Sequence, residues 1–370
     1  MSEQRKPVGA PSAASTVDVE HMRAALVLAR KGWGRTTPNP MVGAVIAHGP
    51  TIVGRGYHAE YGALHAEPVA LRDAGPRARG ATLYVTLEPC THQGRTPPCV
   101  DVIIESGIAR VVIATRDPNP IAAGGVERLR AAGIAVDVGL DEEAARELNA
   151  QFFHALDSTR PWVVLKLAVS IDGAIADARR SPGWLTGTRA RRVVHLLRSG
   201  HDAVGVGIGT VLADDPLLTV RAVPAPMVPP MRVIFDRSAR LPVDSKLVRS
   251  ARDVPVVLVT GDAHGVHARA LASKGVRVVD ATDNETALTA LRQLGIRSVL
   301  VEGGAGLAGS LMESGHVDRL IIFRAPVLLG KGAIGAFSEA PSYSLDHAPR
   351  LRVVEQRRLG SDEMTIYAMH

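Results

Sequence analysis

The chain has 370 residues, of which 46% are hydrophobic and 4% aromatic, with 43 basic and 37 acidic side chains. This length exceeds that of one typical core and predicts two domains. The chain has only two cysteines, which excludes a disulfide-rich scaffold. It has no charged-then-apolar leader and no apolar run long enough to span a bilayer, which excludes a membrane protein. We therefore expect a cytoplasmic location.

The first half alternates between helical and strand patterns after an N-terminal segment of different composition. Residues 1–18 are rich in Pro, Ala and Ser with little periodicity, and we expect a mobile tail there. The predicted helices cover 19–32, 64–74, 97–106, 124–132 and 141–156. The predicted strands cover 41–47, 81–86, 110–115 and 134–138. A turn at 157–161 ends this α/β layer, so we assign one domain to 19–157 and another to 161–370.

The second half also alternates, which predicts a second α/β domain. Its predicted strands cover 162–169, 203–207, 231–235, 255–259, 275–279 and 298–302. The segments 351–359 and 364–370 are predicted to pair as an antiparallel hairpin at the edge of the sheet.

Two Gly-rich turns of the second half, at 204–210 and 301–306, each follow a strand and open a helix. Backbone amides at a helix N-terminus can bind phosphate, which favours a nucleotide site. Such turns can also serve only to let a helix approach a strand. No G-x-G-x-x-G fingerprint with a following acid is present in order.

Three zinc-ligand side chains and one carboxylate lie within residues 65–99. Catalytic zinc takes three protein ligands and keeps a fourth position for water, so His65, Cys90 and Cys99 are the predicted ligands. Zinc lowers the pKa of such a water to about 7. Glu67 is then the predicted catalytic acid/base of a hydrolytic deamination. The alternatives are two inert core cysteines or a structural disulfide, and a reducing location disfavours the disulfide.

The run TLEPCTHQGRTPPC, from Thr86 to Cys99, resembles the deaminase half of the bifunctional riboflavin-biosynthesis deaminase/reductase family. Eight residues separate its two cysteines, whereas cytidine and tRNA-adenosine deaminases typically have two. The segments NPMVG, GYH and DPNP also match. The resemblance implies an N-terminal cytidine-deaminase-like zinc domain with three side chains near the pyrimidine: Asn39, His58 and Asn119. A Pro-flanked Asn can instead be only a turn residue.

The second half resembles the reductase domain of the same family over most of residues 162–330, in the runs KLAVSIDG, WLTG, TVLADDPLLTVR and VEGGAGLAGS. The resemblance implies a C-terminal dihydrofolate-reductase-like domain that uses NADPH. The residues implied to face the cofactor are Ala168, Trp184, Thr210, Asp214, Gly304, Ala305, Gly306, Leu307, Ala308, Gly309 and Ser310. Those implied to face the substrate are Arg198, Leu218, Arg221 and Glu302. Taken singly, the arginines could be surface charges, Trp184 core filler and Asp214 a helix cap.

The second half departs from the family pattern at two positions. The family commonly has Lys or Arg directly after the Ser-x-Asp-Gly stretch, whereas this chain has Ala174. The serine often found two residues before the tryptophan is replaced by Pro182. We expect these substitutions to affect the reductase activity and not the fold.

The two halves differ in charge. Residues 1–155 hold 16 basic and 16 acidic side chains, so the net charge of +6 lies on the second half. A tRNA-editing deaminase is expected to show a basic face beside its zinc site, and the neutral balance of residues 1–155 gives no sign of one. Aromatic residues that could stack on bases are also scarce, so we expect no nucleic-acid partner. The excess of Arg suits a phosphorylated pyrimidine substrate and a phosphate-bearing cofactor.

The sequence therefore predicts a bifunctional enzyme with Zn²⁺ and NADPH as cofactors. As the resemblance implies, hydrolytic deamination of 2,5-diamino-6-ribosylamino-4(3H)-pyrimidinone 5′-phosphate precedes reduction of its ribosyl group to ribityl. Two alternatives stay open: a deaminase with a degenerate, nucleotide-sensing second domain, and a nucleoside or tRNA deaminase. No membrane partner is expected, and association into a homo-oligomer is left open.

Overall fold

A computed structural model describes residues 15–94, 97–180, 183–337 and 340–369. The chain divides into two compact units between Leu156 and Asp157. Both units are layered α/β structures, which confirms the predicted fold class. Among the described residues, no helix has the length and apolar content needed to cross a membrane.

The first unit contains six α-helices and five strands within the described residues. The helices are α1 (Thr16–Ala29), α2 (Ala66–Ala74), α3 (Cys99–Ser106), α4 (Gly125–Ala131), α5 (Glu142–Leu148) and α6 (Ala150–Asp157). The strands are β1 (Gly43–His48), β2 (Thr51–Tyr57), β3 (Thr82–Val85), β4 (Arg110–Ile113) and β5 (Ala135–Val138).

The five strands form one sheet in the order β2-β1-β3-β4-β5, with helices on both faces. β1 is antiparallel to β2 and β3, whereas β3, β4 and β5 are parallel. Successive residues of a strand point to opposite faces. Ala44 and Ile46 therefore pack with α2, α3 and α4, while Val45 and Ala47 pack with α1 and α5. Consequently α2 and α3, which carry the zinc motif, lie on the same face.

The first helix begins earlier than predicted. The Ser15 hydroxyl accepts the Asp18 N–H, and the Asp18 carboxylate accepts the Ser15 N–H, which together cap α1. Asp18 is buried and accepts a hydrogen bond from the Tyr84 hydroxyl at 2.6 Å. The predicted tail limit at residue 18 is therefore wrong, because residues 16–18 belong to the folded unit. Residues 1–14 of the predicted tail lie outside the described residues.

Two further elements of the first unit differ from prediction. The helix predicted over 141–156 is two helices that meet at Asn149. β2 is absent from the predicted strands, because its glycines Gly54 and Gly56 interrupt the apolar pattern. Both glycines face α2 at a distance that leaves no room for a side chain.

The second unit contains six α-helices and eleven strands within the described residues. The helices are α7 (Thr188–Ser199), α8 (Ile208–Asp214), α9 (Lys246–Arg249), α10 (Val266–Ser273), α11 (Asn284–Gln293) and α12 (Ala305–Glu313). The strands are β6 (Trp162–Val169), β7 (Ala174–Ala176), β8 (Ala203–Gly207), β9 (Met231–Phe235), β10 (Val256–Thr260), β11 (Arg277–Asp280), β12 (Ser298–Val301), β13 (Arg319–Arg324), β14 (Ile334–Gly335), β15 (Arg352–Leu359) and β16 (Asp362–Ala368).

Nine of these strands form a sheet in the order β11-β10-β9-β8-β12-β6-β13-β16-β15. The strands from β11 to β13 in this order are parallel. The last two, β16 and β15, are antiparallel and form the predicted edge hairpin, which is confirmed. β13, which joins this hairpin to β6, is absent from the predicted strands, as are the short β7 and β14.

Helices cover both faces of the nine-stranded sheet. α11 and α12 pack on one face, and α7, α9 and α10 pack on the other. Parallel strands end at the same edge of a sheet, where ligands of such folds bind. Because α8 follows β8 and α12 follows β12, both helices begin at that edge.

Candidate active sites

The first site lies at the N-terminal ends of α2 and α3. His65 is the N-cap of α2, and Cys99 is the first residue of α3. Close backbone packing fixes α2 against β2, because a Cβ at Gly56 would lie 2.2 Å from the Ala66 carbonyl oxygen. Cys90 lies in the loop after β3, and its Sγ accepts the Cys99 N–H at 3.5 Å. The three predicted zinc ligands therefore lie together.

The ligand atoms have the separations that a tetrahedral zinc ion requires. His65 Nδ1 lies 3.2 Å from Cys99 Sγ and 3.6 Å from Cys90 Sγ. Zinc bonds of about 2.0–2.3 Å at tetrahedral angles separate such ligands by roughly 3.5 Å. Both cysteines are free, which excludes a disulfide. One imidazole and two thiols are also a common zinc donor set, so the residues present fit zinc.

Glu67 is buried in the first turn of α2, beside these ligands. Burial raises the pKa of Glu67 to about 7, and the charge of Cys90 adds to this rise. A hydrogen bond from the Cys99 thiol lowers the pKa of Cys90, which favours its thiolate, the form that binds metal. A carboxyl group that titrates near neutrality can both accept and return a proton, as a general acid/base must.

Asn39 and His58 lie next to the zinc ligands. His58 Nδ1 donates to the Leu64 carbonyl oxygen at 3.1 Å, which leaves Nε2 to accept from Asn39 Nδ2 at 3.3 Å. The rings of His58 and His65 meet edge to face with 5.4 Å between centroids. Burial lowers the pKa of His58, so the neutral ring is favoured. Two of the three residues expected near a pyrimidine are thus brought to the metal ligands.

Asn119 lies in a turn beside the Cys90 loop. Its Oδ1 accepts the Ile121 N–H at 3.2 Å, and the Thr91 N–H donates to the Ala122 carbonyl oxygen at 3.1 Å. The side-chain oxygen of Asn119 therefore forms the turn, as the alternative reading of this residue expects. Its Nδ2 is the atom that can face a ligand.

Glu88 is a buried residue of this site to which the sequence motif assigns no role. Its carboxylate accepts the Asp117 N–H at 3.2 Å and the Val126 N–H at 3.0 Å. Glu88, two residues before Cys90, therefore joins the loop after β4 to the start of α4. The sequence signal is limited to one acid in the run around Cys90, because both partners are distant backbone groups.

The second site lies at the carboxyl ends of β8 and β12, which are neighbours in the sheet. Gly207 and Gly304 are the N-caps of α8 and α12. A Cβ at Gly304 would lie 3.6 Å from Thr210 Oγ1, and one at Gly207 would lie 3.4 Å from Leu307 Cβ. The two Gly-rich turns therefore lie against each other. The first-turn N–H groups of both helices lack partners within their helices and are suited to phosphate.

The second part of the predicted cofactor loop has other contacts. Ala308 and Gly309 are buried, and the Ala308 N–H donates within α12 at 3.0 Å. The Ser310 hydroxyl accepts a hydrogen bond from Asn284 Nδ2 at 2.9 Å. The geometry therefore favours residues 304–307 as the part of the loop that meets a cofactor.

Three charged side chains lie together at the end of β12, with Arg198 buried and Lys166 and Glu302 only slightly exposed. The Glu302 carboxylate accepts hydrogen bonds from Arg198 Nε at 2.5 Å and Nη2 at 3.0 Å. Lys166 Nζ, from β6, lies 4.0 Å from the same carboxylate. Burial lowers the pKa of Lys166. Burial opposes ionisation of Glu302, but Arg198 and Lys166 hold its pKa below the ordinary value.

Lys166 is a candidate to which sequence reasoning assigns no role. The signal is a lysine inside the apolar strand WVVLKLAV. Its partner Glu302 follows β12, and Arg198, which also pairs with Glu302, comes from α7, so their proximity becomes visible only in the fold.

Arg198 and Arg221 are connected through the segment 218–221. Arg198 Nη1 donates to the Thr219 carbonyl oxygen at 2.9 Å, and the Arg221 N–H donates to His195 Nδ1 at 3.2 Å. The Arg221 residue is exposed. Leu218 is buried in the apolar core with φ +55°, so only its backbone is available to a ligand.

The remaining predicted cofactor residues differ in exposure. Trp184 is 72% exposed with the Arg191 guanidinium 5.2 Å from its ring centroid, so it is not core filler. Asp214 is exposed at the last position of α8, where the helix dipole disfavours a carboxylate. Ala168 lies two residues beyond Lys166 on β6 and therefore on the same face.

The two departures from the family pattern are placed differently. Ala174 is buried at the start of β7. Pro182 lies outside the described residues.

Comparisons with known proteins cover both units. Residues 15–115 match the cytidine and deoxycytidylate deaminase zinc-binding region, and residues 161–364 match the RibD C-terminal domain. The chain is 44% identical over 349 residues to the riboflavin biosynthesis protein RibD of Aquifex aeolicus, covering 94% of this chain and 97% of that protein. The chain belongs to the RibD family. It is 40% identical over 363 residues to RibD of Escherichia coli, covering 93% of this chain and 97% of that protein.

Solved structures show the same likeness. Acinetobacter baumannii RibD matches with a TM-score of 0.82 at 38% identity, covering 96% of this chain and 99% of that chain. The Thermotoga maritima diaminohydroxyphosphoribosylaminopyrimidine deaminase/5-amino-6-(5-phosphoribosylamino)uracil reductase also has a TM-score of 0.82, at 37% identity and the same coverage. This RibD-family chain therefore combines a zinc-binding deaminase domain with an NADPH-dependent reductase domain, which confirms the predicted enzyme class and cofactors.

Proposed function

We propose that this RibD-family enzyme catalyses two consecutive steps of riboflavin biosynthesis. The first is hydrolytic deamination of 2,5-diamino-6-ribosylamino-4(3H)-pyrimidinone 5′-phosphate, and the second is reduction of the ribosyl group to ribityl. The observation that carries the proposal is the presence, in one chain, of a zinc ligand set beside the buried Glu67 and of the slightly exposed ion pair Lys166 and Glu302. The likeness to the Thermotoga maritima protein, whose name states both reactions, supports the substrates.

In the deamination, water forms a bond to ring carbon 2, the bond to the amino nitrogen breaks, and ammonia leaves. Zinc held by His65, Cys90 and Cys99 would supply the Lewis acidity that makes water nucleophilic near neutral pH. Glu67 takes a proton from the water and returns one to the departing nitrogen, and its burial beside the ligands, which raises its pKa, suits it to hold a proton between these steps.

Asn39 and His58 bind the pyrimidine in this proposal. The contact between the His58 and His65 rings supports this role, as does the hydrogen bond between His58 and Asn39. A neutral His58 can exchange hydrogen bonds with a heterocycle without adding charge to the site. Asn119 contributes its Nδ2, because its Oδ1 is engaged in the turn.

In the reduction, a hydride adds to C1′ of the ribosyl group, the bond from C1′ to the ring oxygen opens, and that oxygen takes a proton. Bound NADPH would supply the hydride. Lys166 is the proposed proton donor, since burial lowers its pKa and Glu302 holds its ammonium group. Residues 304–307 and Thr210 are the proposed cofactor contacts, together with the exposed Trp184.

Arg221 is the proposed contact for the substrate phosphate. The guanidinium of Arg198 is engaged by the Glu302 carboxylate and the Thr219 carbonyl oxygen, so its charge is largely balanced. Arg221 is exposed, and the hydrogen bond from its N–H to His195 fixes its backbone. Arg198 then acts mainly by holding Glu302 and the segment 218–221.

The same proposal includes a cytoplasmic location and no nucleic-acid partner. It is supported by two free thiols at the zinc site and by the neutral balance of residues 1–155 in charge.

The function is tested by incubating zinc-loaded protein with the diaminopyrimidine and NADPH and measuring ammonia release and NADPH oxidation separately. We expect one NADPH oxidised per ammonia released. Ammonia release without NADPH oxidation would favour the alternative of a degenerate second domain.

A further inference from the structure

Asn149 lies between α5 and α6, where the predicted long helix is interrupted. The residue is only 3% exposed. Its Oδ1 accepts the Met41 N–H at 2.8 Å, and its Nδ2 donates to the Met41 carbonyl oxygen at 2.9 Å. The two bonds fix the orientation of the amide, because a backbone N–H can only donate and a carbonyl oxygen can only accept. One side chain thus satisfies both polar backbone groups of a residue 108 positions away.

Met41 belongs to the loop that carries Asn39. The Asn39 N–H donates to the Thr36 carbonyl oxygen at 2.8 Å, and the His58 N–H donates to the Val42 carbonyl oxygen at 2.9 Å. The side chains of Asn39 and His58 then meet at 3.3 Å. The bonds to Asn149 therefore fix this loop at Met41, between Asn39 and Val42, whose carbonyl oxygen accepts the His58 N–H.

We propose that Asn149 is a positioning residue for pyrimidine binding in the deaminase domain. It acts through Met41 to hold Asn39 and His58 beside the zinc ligands, and it contacts neither metal nor substrate. The inference rests on the proposed function of Asn39 and His58. An apolar side chain of similar size would leave both buried polar groups of Met41 unpaired, so the loop would lose its fixed position.

The zinc ligands have supports of their own. His65 is held by the packing of α2 on β2, and Cys90 is held by a hydrogen bond from Cys99. Loss of the bonds to Asn149 should therefore weaken substrate binding while zinc remains bound. A role in folding of this unit alone would lower zinc content and kcat for deamination together.

The first test uses zinc-loaded, full-length Asn149→Leu. We expect one zinc per chain, a KM for the diaminopyrimidine raised about tenfold or more, as for two lost buried hydrogen bonds, and a kcat within about threefold of wild type. NADPH oxidation with the already deaminated substrate reports on the other unit and should be unchanged. Calorimetric titration of the same variant with substrate should show the same loss of affinity.

Asn149→Asp adds a pH signature. A protonated carboxyl group can accept the Met41 N–H and donate to the Met41 carbonyl oxygen as the amide does, whereas a carboxylate cannot donate. Burial favours the protonated form, so its pKa should lie above the ordinary value of about 4. The KM of this variant, divided by the wild-type KM at the same pH, should therefore approach one as the pH is lowered and increase as it is raised.

Neighbouring charges do not account for such a profile. The loop 36–41 has no titratable side chain. The charged residues nearest to position 149 along its helices, Arg146 and Glu147, are present in both proteins and cancel in the ratio. Asn149→Leu introduces no titratable group, so its KM ratio should not vary with pH and serves as the control.

Each outcome decides the inference. Equal affinity of wild type and Asn149→Leu for the substrate would overturn it, as would parallel loss of zinc and of kcat for deamination in both variants. A flat KM ratio for Asn149→Asp would also overturn it. If the wild type neither binds nor deaminates the diaminopyrimidine, the proposed function fails first, and that result is distinct from equal binding by both proteins.

Discussion

Lys166 Nζ lies 4.0 Å from Glu302 Oε2, and the two side chains are only 13% and 12% exposed. Two hydrogen bonds from Arg198 already engage the Glu302 carboxylate, so it cannot neutralise both cations. Burial lowers the pKa of Lys166, and the nearby charge of Arg198 acts in the same direction. A lysine in this setting gives up its proton more readily than an exposed one, which suits proton transfer during turnover.

Lys166→Met should therefore lower NADPH oxidation with the deaminated substrate at least about 10²-fold. Ammonia release should be unchanged, because the deaminase residues belong to the other unit. The exposed Lys274, at the C-terminal end of α10, provides the control: Lys274→Met should change neither rate. A near-normal rate in Lys166→Met would assign the proton transfer to another group.

Glu67→Gln should separate metal binding from proton transfer in the deaminase. The variant should keep one zinc per chain, since Glu67 is not a ligand, and lose at least about 10²-fold in ammonia release. Cys99→Ser should lose both metal and activity. Glu60→Gln, which alters an exposed carboxylate paired with Arg35, should change neither. Metal analysis and ammonia assays measure these effects, and deamination by metal-free protein would contradict the zinc mechanism.

The cofactor preference offers a third prediction. Arg237 is exposed just after β9, which neighbours β8 at the edge where α8 begins. We expect NADPH to be preferred over NADH, and Arg237→Gln to raise the KM for NADPH about fivefold or more with little change for NADH, because a charge-assisted hydrogen bond to the extra phosphate is lost. Arg269→Gln, on the exposed side of α10, is the control. Equal use of both cofactors by the wild type would argue against this prediction.

The zinc site could be predicted from sequence because local structure determines most of it. His65 and Glu67 are separated by one residue at the start of α2, and Cys90 and Cys99 lie on one short segment. The spacing of four side chains was therefore enough to identify them. The Gly-rich turns and the edge hairpin are equally local, and both were predicted.

The supporting residues could not be predicted because their partners are distant in sequence. Asn149 bonds to Met41, and Lys166 faces Glu302, across more than a hundred positions in each case. β2 could not be predicted for a related reason. Its residues Gly54 and Gly56 interrupt the strand pattern, and the need for glycine there becomes clear only when α2 is seen packed against them. The earlier start of α1 had a local signal, the Ser15-x-x-Asp18 capping box, which composition alone did not reveal.

The most direct test of two independent activities in one chain is chelation of the full-length protein. Each unit has its own sheet, its own apolar core and its own candidate site. After zinc removal, the diaminopyrimidine should release no ammonia, while the already deaminated substrate should still drive NADPH oxidation at the rate of the zinc-loaded protein. Loss of hydride transfer to the deaminated substrate on zinc removal would contradict the account, because it would mean that the reductase depends on the zinc site.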